Sequence, residues 1–315
     1  MKILFTSVGR RVELIQAFAS AAKKRGVSLE IIGGDASPTA PALQFCNQSV
    51  ILPRINNENY IPFLIGFSER EKVDALIPTI DTDLLLLAEH KECFWNTKVV
   101  ISAPDKVRIC RDKRFTADYF MRLGLKSPLP VDDIKYYRGG FPAFIKPKDG
   151  SSSINAHRAD NEDELTLLTE MVPDYIIQPF IGGTEYTIDV FCDFEGNPVF
   201  ITPRERLEVR SGEVLKTKII QDEKIIDEIK RLISDFKPCG AITVQMIRDE
   251  RTGEDYYIEI NPRFGGGAPL SIKAGADSAD ALIRLLNGER IDYKPFAAEN
   301  AAVYSRFDQS VRIDN

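Results

Sequence analysis

The chain has 315 residues, 43% hydrophobic and 28% charged, with a formal net charge of −6. This is an ordinary globular composition with enough length for two or three domains of about 150 residues. The negative balance and the scattered Lys and Arg give no reason to expect a nucleic-acid footprint, so any anionic ligand must be met by a local cluster. No apolar run approaches the roughly 20 residues of a membrane span, and MKILFTSVG reads as a strand rather than a signal-peptide core. A cytoplasmic protein without nucleic-acid or membrane partners is therefore expected. Cys46, Cys93, Cys110, Cys192 and Cys239 form no C-x-x-C pair and have no neighbouring histidine, which argues against a disulfide frame or a zinc site. His90, in AEHKE, and His157, in NAHRAD, read as surface residues, which argues against a histidine-based triad.

In the first hundred residues the strands KILFT, LEIIGG, SVILP, ALIPT and KVVIS alternate with amphipathic stretches. In one of these, residues 11–24, Val12, Ile15, Ala19 and Ala22 recur at helical spacing. The alternation predicts a Rossmann-like parallel α/β sheet. Its first turn reads TSVGRR and not G-x-G-x-x-G, so a dinucleotide enzyme is not expected. Ligands of such sheets lie beyond the carboxyl ends of the strands, which makes Ser7, Arg10, Asp35 and Asp81 candidate substrate contacts. Asp81 reads more simply as the cap of the helix TDLLLLAEH, although an acid there could also hold a substrate amine.

After Pro104 the pattern changes. PDKVRICRDKRFTADYFMRLGL reads as two short helices, the second opening near Asp112. A Pro- and Gly-bearing connector leads to the strand AFIKPK, the loop DGSSSINA, a helix over NEDELTLLTEM and the strand YIIQPF. From Thr184 onward TEYTIDVFCD, PVFITPRERLEV and EVLKTKII read as long antiparallel strands. The amphipathic helix EKIIDEIKRLISDF then precedes AITVQMIRD and DYYIEIN. Mixed sheets behind an open parallel domain suggest a nucleotide held between two α+β lobes.

The stretch DYYIEINPRFGGGAP, residues 255–269, concentrates chemistry. If 257–261 is a strand, Ile258 and Ile260 face one way, Glu259 and Asn261 the other, and Arg263 continues that phase past the proline. Hard oxygen donors beside an arginine suit Mg²⁺ and phosphate. A solvated strand end with a glycine turn fits the same residues. In FIKPKDGSSS, Lys146 ends a strand before small residues that let backbone N–H groups approach phosphate, without P-loop spacing. Lys113 reads equally as a solvated helix residue, Glu185 and Asp189 as a solvent-facing strand face, and Gln178 and Phe180 as strand filling. Arg204, Arg206 and Arg210 lie in ITPRERLEVRSGEV, the first two on one face.

In their order along the chain, FIKPKDGSSS, IIQPFIGGTEYTIDV, Gln245 and the Glu259 cluster resemble the ATP-grasp superfamily. Within it they resemble the ATP-binding half of the carbamoyl phosphate synthetase large chain and stand-alone proteins like it. The resemblance covers nearly the whole chain. It implies a Rossmann-like pre-ATP-grasp domain (1–110), a small lobe (111–183), a large lobe (184–295) and a C-terminal tail (296–315). It implies that Lys113 and Lys146 reach the phosphates of ATP and that residues 149–153, with Ser151, Ser152 and Ser153, form a flap over them. Gln178, Phe180 and Ile181 would line the adenine slot, with backbone groups of 180–181 reading the base edge, and Glu185 would accept from the ribose. Gln245, Glu259 and Asn261 would hold Mg²⁺ (or Mn²⁺), and Arg263 would meet the transferring phosphoryl group, forming with Lys146 the catalytic pair. Gln245 departs from the Asp or Glu that many members carry but matches the carbamoyl phosphate synthetase pattern.

The implied activity is an ADP-forming ligase that activates a small carboxylate as an acyl phosphate for attack by an amine (or thiol). Alternatives are a kinase component forming carboxy or carbamoyl phosphate, and a non-catalytic ATP-binding regulatory module. The chain shows no second ATP-grasp copy and no glutaminase segment, so complete carbamoyl phosphate synthesis by it alone is not expected. Small-molecule substrates are expected, and a homodimer is left open.

Overall fold

The computed structural model describes residues 1–149 and 154–313. Strands β1 (Lys2–Thr6), β2 (Glu30–Asp35), β3 (Gln48–Ile51), β4 (Ala75–Pro78) and β5 (Lys98–Val99) form a five-stranded sheet in the order β3-β2-β1-β4-β5. All its pairs are parallel. A parallel sheet is covered on both faces, which is why its strands are nearly continuous apolar runs. Ile3 and Phe5 pack under α1 (Val12–Arg25), whereas Leu4, between them, packs with α2 (Tyr60–Glu71) and α3 (Leu84–His90). The strand order reverses between β1 and β4, so the crevice of a doubly wound sheet opens there. Thr79 ties its two loops together, its hydroxyl donating to the carbonyls of Ser7 (2.7 Å) and Thr6 (3.0 Å).

Helices α4 (Pro104–Arg111) and α5 (Lys113–Arg122) follow. Asp112 caps α5 by accepting from the Arg114 N–H at 2.9 Å, and so sets Lys113 in the first turn. Strands β6 (Ala143–Pro147), β7 (His157–Ala159) and β8 (Tyr175–Pro179) form an antiparallel sheet in the order β7-β6-β8. Ala143, Ile145, Ala159 and Ile177 are covered by Leu165 of α6 (Glu162–Met171).

The large sheet runs β13-β12-β9-β10-β11-β14, all antiparallel. It consists of β9 (Gly183–Cys192), β10 (Pro198–Arg210), β11 (Glu213–Ile219), β12 (Gly240–Asp249), β13 (Asp255–Asn261) and β14 (Val303–Ser305). One face packs on α7 (Glu223–Phe236), whose Ile225, Ile229, Leu232, Ile233 and Phe236 are buried against Ile188, Val190, Ile242 and Val244. The opposite face meets α8 (Ala268–Lys273), α9 (Ser278–Leu286) and the first sheet. Phe191, Phe200 and Phe264 share one core with Ile3, Phe5 and Phe18, the rings of Phe18 and Phe264 lying 5.9 Å apart, edge to face. This apolar contact seats the parallel sheet on the large one. Residues 296–315, expected as a tail, supply β14 and the buried Ala298. Among the described residues no helix is long and apolar enough to cross a membrane.

Ile229 is fully buried beneath the large sheet. Ile229→Ala should lower stability by about 2–5 kcal/mol, the usual cost of such a cavity, measured as a shift in the urea midpoint at unchanged slope.

Candidate active site

Between the small three-stranded sheet and the large sheet lies a cavity of about 460 Å³. Its lining includes Lys113, Lys146, Gln178, Phe180, Ile181, Glu185, Gln245 and Glu259, side chains that the sequence scatters over nearly half the chain. Ser151, Ser152 and Ser153 lie outside the described residues, so the expected flap is represented only by Asp149, which lines the cavity. Asn261 and Arg263 line a second cavity, of about 330 Å³. The two share Arg206, Gly212, Gln245 and Glu259 as common wall.

At one end of the first cavity two ammonium groups face one carboxylate. Lys146 is only 7% exposed, and burial holds its amine down to about 8; Glu259 opposes the shift and Lys113 adds to it. Burial likewise lowers Lys113, against Glu259 and Asp149. Concentrating cations in a partly desolvated site costs free energy that an arriving polyanion relieves. The Phe180 ring lies 4.9 Å from the Arg158 guanidinium and 6.1 Å from the ring of Phe144, which is itself 5.8 Å from Lys146 Nζ. Of the backbone groups of 180–181, the Phe180 N–H is committed to the Pro142 carbonyl at 3.1 Å. Glu185 Oε2 lies 3.1 Å from Arg206 Nε, but the pair is not aligned for a hydrogen bond, and Nε is left without a partner.

The oxygen donors are built by a β-bulge. Gln245 pairs with Glu259 and Thr243 with Asn261, but Met246 pairs with Tyr257, so Ile258 is an extra residue in β13. Strict alternation would send Ile258 to the core with Ile260. Instead Tyr257 and Ile260 are both core residues, while Ile258 and Glu259 line the cavity. Asn261 Nδ2 donates to Glu259 Oε1 at 2.8 Å. Among the described residues there is no group of three or more His, Cys, Asp or Glu that could hold a metal. One carboxylate and two amides nonetheless suit a hard cation that draws most of its ligands from phosphate and water.

In the second cavity, Arg263 Nη2 lies 2.6 Å from Asp81 Oδ2 and Nη1 donates to the Phe264 carbonyl at 3.2 Å. Asp81 therefore does not cap the following helix, and its Oδ2 is held by the guanidinium. Asp83 occupies the N-cap position, where it is fully buried and accepts from Thr6 Oγ1 (3.1 Å) and Tyr60 Oη (2.9 Å). Arg204, 1% exposed, donates to Asp189 at 2.7 Å. Arg206 donates to the Gly212 carbonyl at 3.1 Å. Arg210 lies at the surface with Asp308. Of the residues proposed at the ends of the parallel strands only Asp81 lines this cavity. Asp35 orders its own loop by accepting from the N–H groups of Gly9 and Ser37, both at 2.8 Å, and Arg10 is 84% exposed. Arg11 and Glu213, unmarked by the sequence reading, stand in their place, 3.4 Å apart. The signal in TSVGRR belonged to the second arginine.

The glycine run now has a reason. A Cβ at Gly266 would lie 2.1 Å from Glu213 Oε2 and 2.7 Å from Arg11 Nη1, and one at Gly267 would lie 2.7 Å from Arg204 Nη2. Only bare backbone lets these charged groups pack against the loop.

A family model described as an ATP-grasp domain matches residues 110–267, and one described as a PylC-like N-terminal domain matches residues 3–101. The carbamoyl phosphate synthase large chain of Thermus thermophilus is 25% identical over 263 residues, covering 74% of this chain and 26% of that protein. The 3-methyl-D-ornithine–L-lysine ligase of Methanosarcina mazei is 25% identical over 246 residues, 75% of this chain and 63% of that protein. This chain thus spans about a quarter of the first relative and less than two thirds of the second. In fold it is similar to the biotin carboxylase domain of Hydrogenobacter thermophilus 2-oxoglutarate carboxylase, with TM-score 0.78, 18% identity, and 96% and 73% of the two chains covered. It is also similar to the L-amino acid ligase of Bacillus licheniformis, with TM-score 0.71, 18% identity, and 90% and 73% covered.

The buried Lys146 sets a pH-dependent outcome. Its charged form is disfavoured in the fold, so its destabilising contribution is fully present below about pH 8 and fades as pH rises toward 10.5, the ordinary lysine value. Lys146→Met should therefore raise the melting temperature of the ligand-free protein at pH 7, with the difference shrinking between pH 8 and 10.5. The same substitution should weaken nucleotide binding by about ten-fold or more. Equal melting of both proteins across this range would contradict the assignment.

Proposed function

The chain belongs to the ATP-grasp family, and from that premise we propose that it is an ADP-forming ligase that activates a small carboxylate for attack by an amine (or thiol). The observation that carries this reading is the adjacency of the two cavities across Gln245 and Glu259, with Lys113 and Lys146 lining the first and Arg11 and Arg263 the second. ATP enters the first cavity, its base toward Phe180 and its phosphates toward Lys113 and Lys146. The carboxylate occupies the second. The biotin carboxylase domain of similar fold was solved with MgADP and bicarbonate, and two of the similar proteins are named as amino-acid ligases, which supports the same division here.

In the first step a carboxylate oxygen attacks the γ-phosphorus, the bond to the β–γ bridging oxygen breaks, and ADP leaves with the electron pair. An acyl phosphate remains. The amine then attacks its carbonyl carbon, phosphate departs, and the amine proton passes to solvent. Lys146 and Lys113 hold the terminal phosphates as point charges, whereas Arg263, braced by Asp81, presents a guanidinium of fixed orientation to the oxygens that gain charge. Gln245, Glu259 and Asn261 are the residues that would hold Mg²⁺ (or Mn²⁺), which supplies charge neutralisation across the phosphates when bound. We adopt the division into 1–110, 111–183, 184–295 and 296–315, the last joined to the large lobe through β14.

Substrate carboxylate labelled with heavy oxygen should place one labelled atom in the released phosphate, alongside ADP, as read by mass spectrometry. AMP and pyrophosphate would refute the mechanism. Label arriving only from bicarbonate would identify a carboxyphosphate-forming component, and nucleotide binding without substrate-dependent ADP release an ATP-binding module. Glu259→Gln should reduce metal-dependent turnover by about 10²-fold or more while leaving the melting profile of the ligand-free protein cooperative. An unchanged metal dependence would remove Glu259 from the ligand set.

A further inference from the structure

The second cavity is not uniformly cationic, and its acids differ in how firmly they are held. Asp81 is engaged by Arg263 at 2.6 Å. Glu259 accepts from Asn261 at 2.8 Å and faces the two lysines. Glu213 is different. Its side chain is 49% exposed, and its partners stand at longer range, Arg11 at 3.4 Å and Arg306 at 3.2 Å. Burial pushes its carboxyl up, but Arg11, Arg306 and Arg263 outweigh that and hold it below the usual range, so it is ionised at neutral pH. Arg263 is thus near enough for its charge to act on Glu213. An ionised carboxylate in a cavity that receives a carboxylate substrate repels it, unless the substrate carries a cation to meet it.

Resting on the ligase reading above, we propose that the second cavity takes an amino acid whose reacting carboxylate lies toward Arg263 and whose ammonium group is received by Glu213. The loose Arg11–Glu213 contact is the one the ammonium replaces. Arg11 then turns to the substrate carboxylate, where it adds to Arg263. Glu213 is the specificity-determining residue, because it favours an amine-bearing acid over the same acid without the amine. Its position is set from outside the cavity. Arg306, beyond β14, also lies 3.4 Å from Glu13 of α1 and donates to the Val214 carbonyl at 3.2 Å. The absence of a side chain at Gly266 makes the space that the Glu213 carboxylate occupies.

The test uses matched pairs of acids with and without the amine: alanine and propionate, glutamate and glutarate, lysine and 6-aminohexanoate. Hydroxylamine replaces the unknown nucleophile and converts acyl phosphate to hydroxamate and phosphate. At least one α-amino acid should give a kcat/KM about ten-fold or more above its partner, the worth of one charge-assisted contact. Glu213→Gln should bring that ratio near one, mainly through KM, while Glu213→Asp, which keeps the charge, should retain part of it. ADP-dependent thermal stabilisation verifies that each variant is folded. Equal rates within every pair, or a preference that survives in E213Q, would overturn the assignment of Glu213 and leave the ligase reading intact. Absence of hydroxamate from every acid would overturn the ligase reading, and this assignment with it.

Discussion

The ion pair between Arg263 and Asp81, 2.6 Å across, is the contact on which the site's geometry turns. Asp81 belongs to the loop after β4, at the crevice of the parallel sheet, and Arg263 follows the strand that carries Glu259 and Asn261. The pair therefore aligns one wall of the second cavity with the oxygen donors of the first. A guanidinium only 12% exposed needs such a partner, because breaking a buried pair leaves an uncompensated charge that costs about 3–5 kcal/mol. The apolar contact of Phe18 with Phe264, the next residue after Arg263, supplies the non-directional part of the same junction. Packing brings the surfaces together, and the ion pair sets their register.

Charge is distributed locally and not globally. The chain carries −6 overall, yet Lys113, Lys146, Arg11, Arg206 and Arg263 converge on two adjoining cavities. Each is offset by an acid near it, and the offsets are graded. Arg204 and Asp189 form a tight pair that is nearly inaccessible, so they act as structure. Lys146 has no carboxylate within ion-pair distance among the described contacts and feels Glu259 only through its field, so its charge is the one most available to an incoming phosphate. The gradation separates groups that hold the fold from groups that wait for a ligand, although all belong to residue types that a sequence cannot rank.

Much of this architecture was legible in the sequence. Apolar runs and amphipathic spacing located the strands of the parallel sheet, α5 with its Asp112 cap, and α7 with its buried face. These are short-range matters: side-chain period, turn chemistry and capping act within a few residues. The line Glu259, Asn261, Arg263 was readable for the same reason, since alternation along one strand brings the oxygens together. Alternation failed at Ile258, where a bulge depends on how a second strand pairs and not on the strand's own composition.

What the sequence by itself determined, then, was the set of elements and the oxygen and ammonium groups offered at their ends. Tertiary structure alone decided which charges meet. Asp81 and Arg263 are 182 positions apart, and Arg11 and Glu213 are 202 apart. Nothing local distinguishes Arg10 from Arg11 or Asp81 from Asp83 as strings of letters. The packing of one sheet on another sends Arg10 to solvent and Arg11 into the cavity, and buries Asp83 under Tyr60 while leaving Asp81 for Arg263. The physical reason is that Coulomb and hydrogen-bond partners are chosen by distance in space, a few ångströms at most, and that distance is set only when the cores have closed.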